Sequence, residues 1–87
     1  MQKISPETPY QPISCELHSQ YELAIMHKTR LQLVYRDKNN FMVNDIVMPI
    51  DIKIKNKAEY LIALSAENKT ISIRLDYIIK LHVHHRN

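Results

Sequence analysis

The sequence predicts a small, mostly β domain, one N-terminal helix followed by five antiparallel strands, and three observations carry that prediction. From residue 30 onward, apolar residues recur with period two, the spacing that sends alternate side chains to opposite faces of a strand. Short clusters of Asp, Asn, Glu and Lys interrupt these runs at intervals suited to hairpins. Ahead of the first run lies a stretch with helix-capping residues and helix-compatible spacing. At 87 residues the chain has room for one domain, read here as an extended arm over 1–13 and a folded unit over 14–87.

The arm is predicted from Pro6, Pro9 and Pro12, which fix φ and supply no amide donor, so neither a helix nor a central strand suits them. Tyr10 and Ile13 are apolar enough to lie against the domain. Ser19 and Glu22 have capping-box spacing, with Ser14 as a competing cap that would set Glu16 in the first turn. Leu23, Ala24, Met26 and His27 continue the period, and His27, Lys28 and Arg30 suit the negative C-terminal end of the helix dipole. The helix is expected over about 16–28 and is too short to be stable without packing on something.

Strands then follow over about 30–83. Leu31, Leu33 and Tyr35 make the first, and Asp37–Asn40 turns it. Glycine is absent from the chain, and Asn is the next residue to tolerate a left-handed backbone. Phe41 to Ile54 forms the second, with a break, bulge or edge expected at Pro49, where a ladder donor is missing. Tyr60, Ile62 and Leu64 form the third; Ile71, Ile73 and Leu75 the fourth; Ile78–Val83 the fifth, after a tight link at Asp76-Tyr77. So small a sheet exposes two edges, and closing it into a barrel would remove them. A helix followed by a strongly bent five-stranded sheet is the architecture of Sm-like small barrels. An OB-like barrel is the alternative, but its helix usually falls between strands.

Charge divides the chain. Residues 1–27 carry Glu7, Glu16 and Glu22 against Lys3, a net of −2, and residues 28–87 carry eleven Lys and Arg against six Asp and Glu, a net of +5. Either sign could serve recognition. Lys53, Lys55 and Lys57 alternate with other residues as a stripe that fits phosphate contacts or a blunted sheet edge. Tyr35, Tyr60 and Tyr77 are spread too widely along the chain to read as a stacking platform.

Catalysis finds little support. The lone Cys15 lacks a strand-elbow-helix context or a glycine-built oxyanion loop and is expected to be a small buried anchor for the arm. The histidines at 82, 84 and 85 fall at the terminus without the rigid ligand set a structural zinc needs, so neither metal nor cofactor is expected. No apolar run reaches the length of a membrane span, and the polar start lacks a signal peptide's apolar core, so a cytoplasmic protein without a membrane role is expected.

Read in order, YQPISC (Tyr10–Cys15), YELA (Tyr21–Ala24) followed by His27, LQL (Leu31–Leu33), EYL (Glu59–Leu61) and RLD followed by Tyr77 and Ile78 form a series. It resembles the Rho-binding antiterminator (Rof) family from about Tyr10 to Leu81, with extra residues around Met48–Ile54. The resemblance implies an Sm-like barrel with an N-terminal helix, acting as a monomer without enzymatic activity. It also implies a function: binding the Rho hexamer at its primary RNA-binding sites and so inhibiting Rho-dependent transcription termination. Carried over by position, the partner-binding residues are Glu16, Leu17, Gln20 and Glu22 on the helical segment, and Lys55, Asn56 and Lys57 in the loop ahead of EYL. Carboxylates on the helix would pair with Lys and Arg that otherwise hold RNA phosphates. After Cys15 the family is often doubly acidic, whereas this chain has Glu16 alone before Leu17-His18-Ser19. The competing expectation is an Sm-like RNA-binding protein that uses its basic barrel surface.

Overall fold

The computed structural model describes residues 9–84; residues 1–8 of the expected arm and His85 lie outside the described residues. The helix, α1, spans Cys15–His27. Ser14 is its N-cap, with Oγ accepting from the Leu17 amide at 3.1 Å, while Ser19 lies inside the helix. The capping box at Ser19 and Glu22 therefore does not form. Starting at Cys15 puts Leu17, Tyr21, Ala24 and Ile25 on one face, and a start at Ser19 would leave Leu17 outside it. The C-terminal end closes on Lys28 at φ 54, and the Thr29 amide donates to the Ala24 carbonyl at 2.9 Å.

Five strands follow: β1 Leu31–Arg36, β2 Met42–Lys55, β3 Ala58–Leu64, β4 Thr70–Arg74 and β5 Ile78–Val83. They form one antiparallel sheet in the order β4-β3-β2-β1-β5. β2 stays continuous through Pro49. Its first half pairs with β1 and its second with β3, and the register shifts between Pro49 and Asp51. That bulge bends the strand where it changes partner.

Period two also explains burial. Leu31, Leu33 and Tyr35 of β1 face inward, as do Val47, Leu61 and Ile73 from the neighbouring strands. Tyr21 of α1 is fully buried among them, and Tyr10 and Ile13 pack against the same core. Cys15 is exposed, so it is no buried anchor. It occupies the first position of α1, away from the inward stripe, and Tyr10 and Ile13 hold the arm in its place.

The sheet is not closed. β4 and β5 stand at opposite edges, and no ladder joins them among the described residues. A 3₁₀ turn at Leu75–Tyr77 links the two, and Leu75 is buried in that turn instead of ending β4. Alternation identifies strands without specifying which edges meet, so the expected barrel becomes a strongly bent, open sheet.

Reversals are made without glycine. Lys28, Asn40, Asn56, Lys57 and Asn68 all have positive φ. At the β2–β3 hairpin Lys55 pairs with Ala58, leaving Asn56 and Lys57 as the two central residues at φ 52 and 67. Two successive left-handed residues make a type I′ turn, whose twist matches that of the flanking strands.

Candidate protein-interaction site

The inward stripe of α1 determines its outward face. Glu16, Ser19, Gln20, Glu22, Leu23 and Met26 are exposed, whereas Leu17 is half-buried and packs against the core. At about 100° per residue, Glu16 and Glu22 lie roughly 120° apart around the helix. Leu23 and Met26 fall between them at 52% and 70% exposure. The outward face thus carries an exposed apolar pair flanked by two carboxylates.

His18 ties this helix to the sheet. Its Nε2 lies 2.9 Å from Glu59 Oε1, and its Nδ1 lies 3.5 Å from Glu22 Oε2 one turn along α1. Glu59 stands in β3 immediately after Ala58, so the contact sets the start of α1 beside the base of the β2–β3 hairpin. Lys55, Asn56 and Lys57 are all exposed at that hairpin's tip. The two predicted contact segments therefore belong to elements joined by the His18–Glu59 contact. Lys57 leaves the lysine stripe, because its left-handed backbone takes it out of the alternation that Lys53 and Lys55 obey.

A second polar cluster holds the arm to the corner between β4 and β5. Arg74 Nε and Nη2 donate to Asp76 Oδ1 and Oδ2, both at 2.8 Å, and the Gln11 amide donates to Asp76 Oδ2 at 2.9 Å. Arg74 is 5% exposed, with its guanidinium 4.5 Å from the Tyr77 ring centroid and 5.6 Å from that of Tyr10. Burial pushes the Asp76 carboxyl up. The Arg74 hydrogen bond, the Gln11 amide and the Arg74 charge together outweigh it and hold the carboxyl below its ordinary value. The hydrogen bond to Asp76 raises Arg74 in turn. Tyr21, buried without a hydrogen-bond partner on its hydroxyl, is pushed up to about 12, by burial first and by Tyr10 second.

The family model described as Modulator of Rho-dependent transcription termination (ROF) matches residues 12–87. The chain belongs to the ROF family. Its description ties the family to modulation of Rho-dependent termination. No curated protein matches the chain. Among solved structures, proteasome accessory factor B/C (PafBC) of Arthrobacter aurescens is similar at TM-score 0.72 and 20% identity, over 87% of this chain and 13% of that one. That likeness is one of fold alone, and the chain spans only 13% of the length of PafBC.

Most residues that carried the family resemblance build the fold. Leu61 and Leu75 are core, Glu59 anchors His18, and Arg74 and Asp76 hold the arm. The outward face lies elsewhere. Glu16, Gln20 and Glu22 are on it, Leu17 is not, and Leu23 and Met26 join it without having been predicted. Their signal lay in the helix phase, which sets Leu23 and Met26 opposite the buried Tyr21 and Ala24. Among the described residues, no three His, Cys, Asp or Glu gather to hold a metal, and no helix is long and apolar enough to cross a membrane.

Proposed function

We propose that this ROF-family protein binds the termination factor Rho directly and occupies its primary RNA-binding site, thereby opposing termination. The observation that carries this reading is the outward face of α1, where Glu16 and Glu22 border the exposed Leu23 and Met26. A site that holds RNA presents Lys and Arg for phosphates and apolar or aromatic surface for bases. Carboxylates flanking two apolar side chains complement both features. The hairpin tip Lys55-Asn56-Lys57, joined to α1 through the His18–Glu59 contact, adds polar contacts at the rim. The docking face belongs to the acidic part of the chain, so the net charge of +3 does not oppose docking. Such an inhibitor works by occupancy and needs no reacting group.

The test is a pull-down with purified Rho, together with Rho's RNA-stimulated ATP hydrolysis. The unmodified chain should bind Rho and slow hydrolysis. The double variant Glu16→Lys, Glu22→Lys should weaken binding by at least about tenfold, because attraction becomes repulsion at two positions. Unchanged affinity of that variant, or failure of the unmodified chain to bind Rho, would refute the proposal.

A further inference from the structure

The three tyrosines that are scattered in sequence meet at one groove. Tyr35, Tyr60 and Tyr77 line a cleft of about 690 Å³ between the edge strand β4, the end of β1 and the turn after it. That volume lies within the range of about 300–1,000 Å³ usual for small-ligand sites. Tyr35 is buried and forms the floor, while Tyr60 and Tyr77 are half-buried. Arg74 fixes the Tyr77 ring, with its guanidinium 4.5 Å from the centroid and its charge engaged by Asp76.

Two further cations stand at the rim. Arg36 and Lys38 line the groove, are exposed, and form no ion pair among the described residues. They sit on a preorganised turn. The Asp37 carboxylate between them accepts from the Asn39 and Phe41 amides at 2.9 and 3.0 Å, and the Asp37 and Phe41 backbones pair at 2.9 Å. Phe41 leaves this turn 67% exposed. The groove shares no lining residue with α1 or the tip of the β2–β3 hairpin.

Aromatic walls beside unpaired cations suit a ligand that offers a flat ring and an anionic group within a few ångströms. From this juxtaposition we infer that the groove binds a nucleobase with its phosphate, as presented by single-stranded RNA, the base against Tyr60 and Tyr77 and the phosphate on Arg36 and Lys38. Stacking on tyrosine tolerates any base, so the site reads an unpaired strand more than a sequence. Duplex bases hide their faces, and a paired strand would not enter.

Fluorescence anisotropy of a labelled single-stranded RNA octamer, titrated with the full chain, tests this, with a duplex of the same sequence as comparison. Saturable binding of the single strand, tighter than that of the duplex, is expected. The double variant Arg36→Gln, Lys38→Gln changes two exposed side chains and should leave the circular dichroism spectrum unaltered. It should weaken binding by about tenfold or more and reduce the slope of log affinity against log salt by roughly 0.7, the value for the one phosphate no longer neutralised. Competition by a mononucleotide separates the two sources of the same chemistry. Displacement at concentrations close to those of the octamer supports the groove with a free nucleotide as ligand. Displacement only at far higher concentrations supports a strand. No saturable binding, equal binding of duplex, or an unaffected double variant would overturn the assignment.

Discussion

Replacing Asp76 by Asn leaves the buried Arg74 without its counter-charge, and the cost follows from the geometry. Both carboxylate oxygens are committed to the guanidinium, at 2.8 Å each, and one also receives the Gln11 amide at 2.9 Å. Asn supplies one acceptor where the carboxylate supplied two, and its amide NH₂ would face another donor. Arg74 is 5% exposed and keeps its charge, so water cannot compensate. Removing one partner from a buried ion pair costs about 3–5 kcal/mol. Folded domains are stable by only about 5–15 kcal/mol in total, so the variant should fall well down its stability range. Urea unfolding followed by circular dichroism measures this, and the midpoint should drop sharply with little change in slope. The Asp76→Leu, Arg74→Met double variant should recover much of the loss, because two apolar side chains of similar volume leave no charge unpaired.

The same pair makes a pH prediction. The folded Asp76 carboxyl titrates below its ordinary 3.8, so the unfolded chain binds a proton first as pH falls. Its stabilisation is fully present above about pH 5 and is lost as pH drops through 3.8 and on through the lower folded value. Asp76→Asn should lack this component of the acid transition. A loss below about 1 kcal/mol at neutral pH, or an acid transition identical to that of the unmodified chain, would contradict the buried-pair account.

Two further perturbations test the local structure. Ser14→Ala removes the acceptor for the Leu17 amide and should cost about 1 kcal/mol in urea unfolding, whereas Ser19→Ala, inside the helix, should be neutral or slightly stabilising. Lys57→Gly relieves a left-handed residue at φ 67 and should raise stability by up to about 1 kcal/mol, while the equivalent change at Lys55, within β2, should lower it.

The elements of this fold are local, and the order of residues is enough to specify them. Alternation from Leu31 to Val83 produces strands because a pleated backbone sorts successive side chains onto two faces, and Asn at the reversals supplies the backbone freedom that absent glycine cannot. The helix was legible for the same reason, but its start was not. Ser14 and Ser19 are both adequate caps, and the choice fell to the one that brings Leu17 into the helix and onto the core. The helix phase that turns Tyr21 and Ala24 inward points Leu23 and Met26 outward. Long-range packing settled what depends on distant partners. It set β4 and β5 at opposite edges of the sheet, joined the α1 segment to the hairpin through His18 and Glu59, and gathered Tyr35, Tyr60 and Tyr77 around one groove. Periodicity constrains neighbours a few residues apart, whereas these meetings follow from how a bent sheet brings remote strands together, which no short window of sequence encodes.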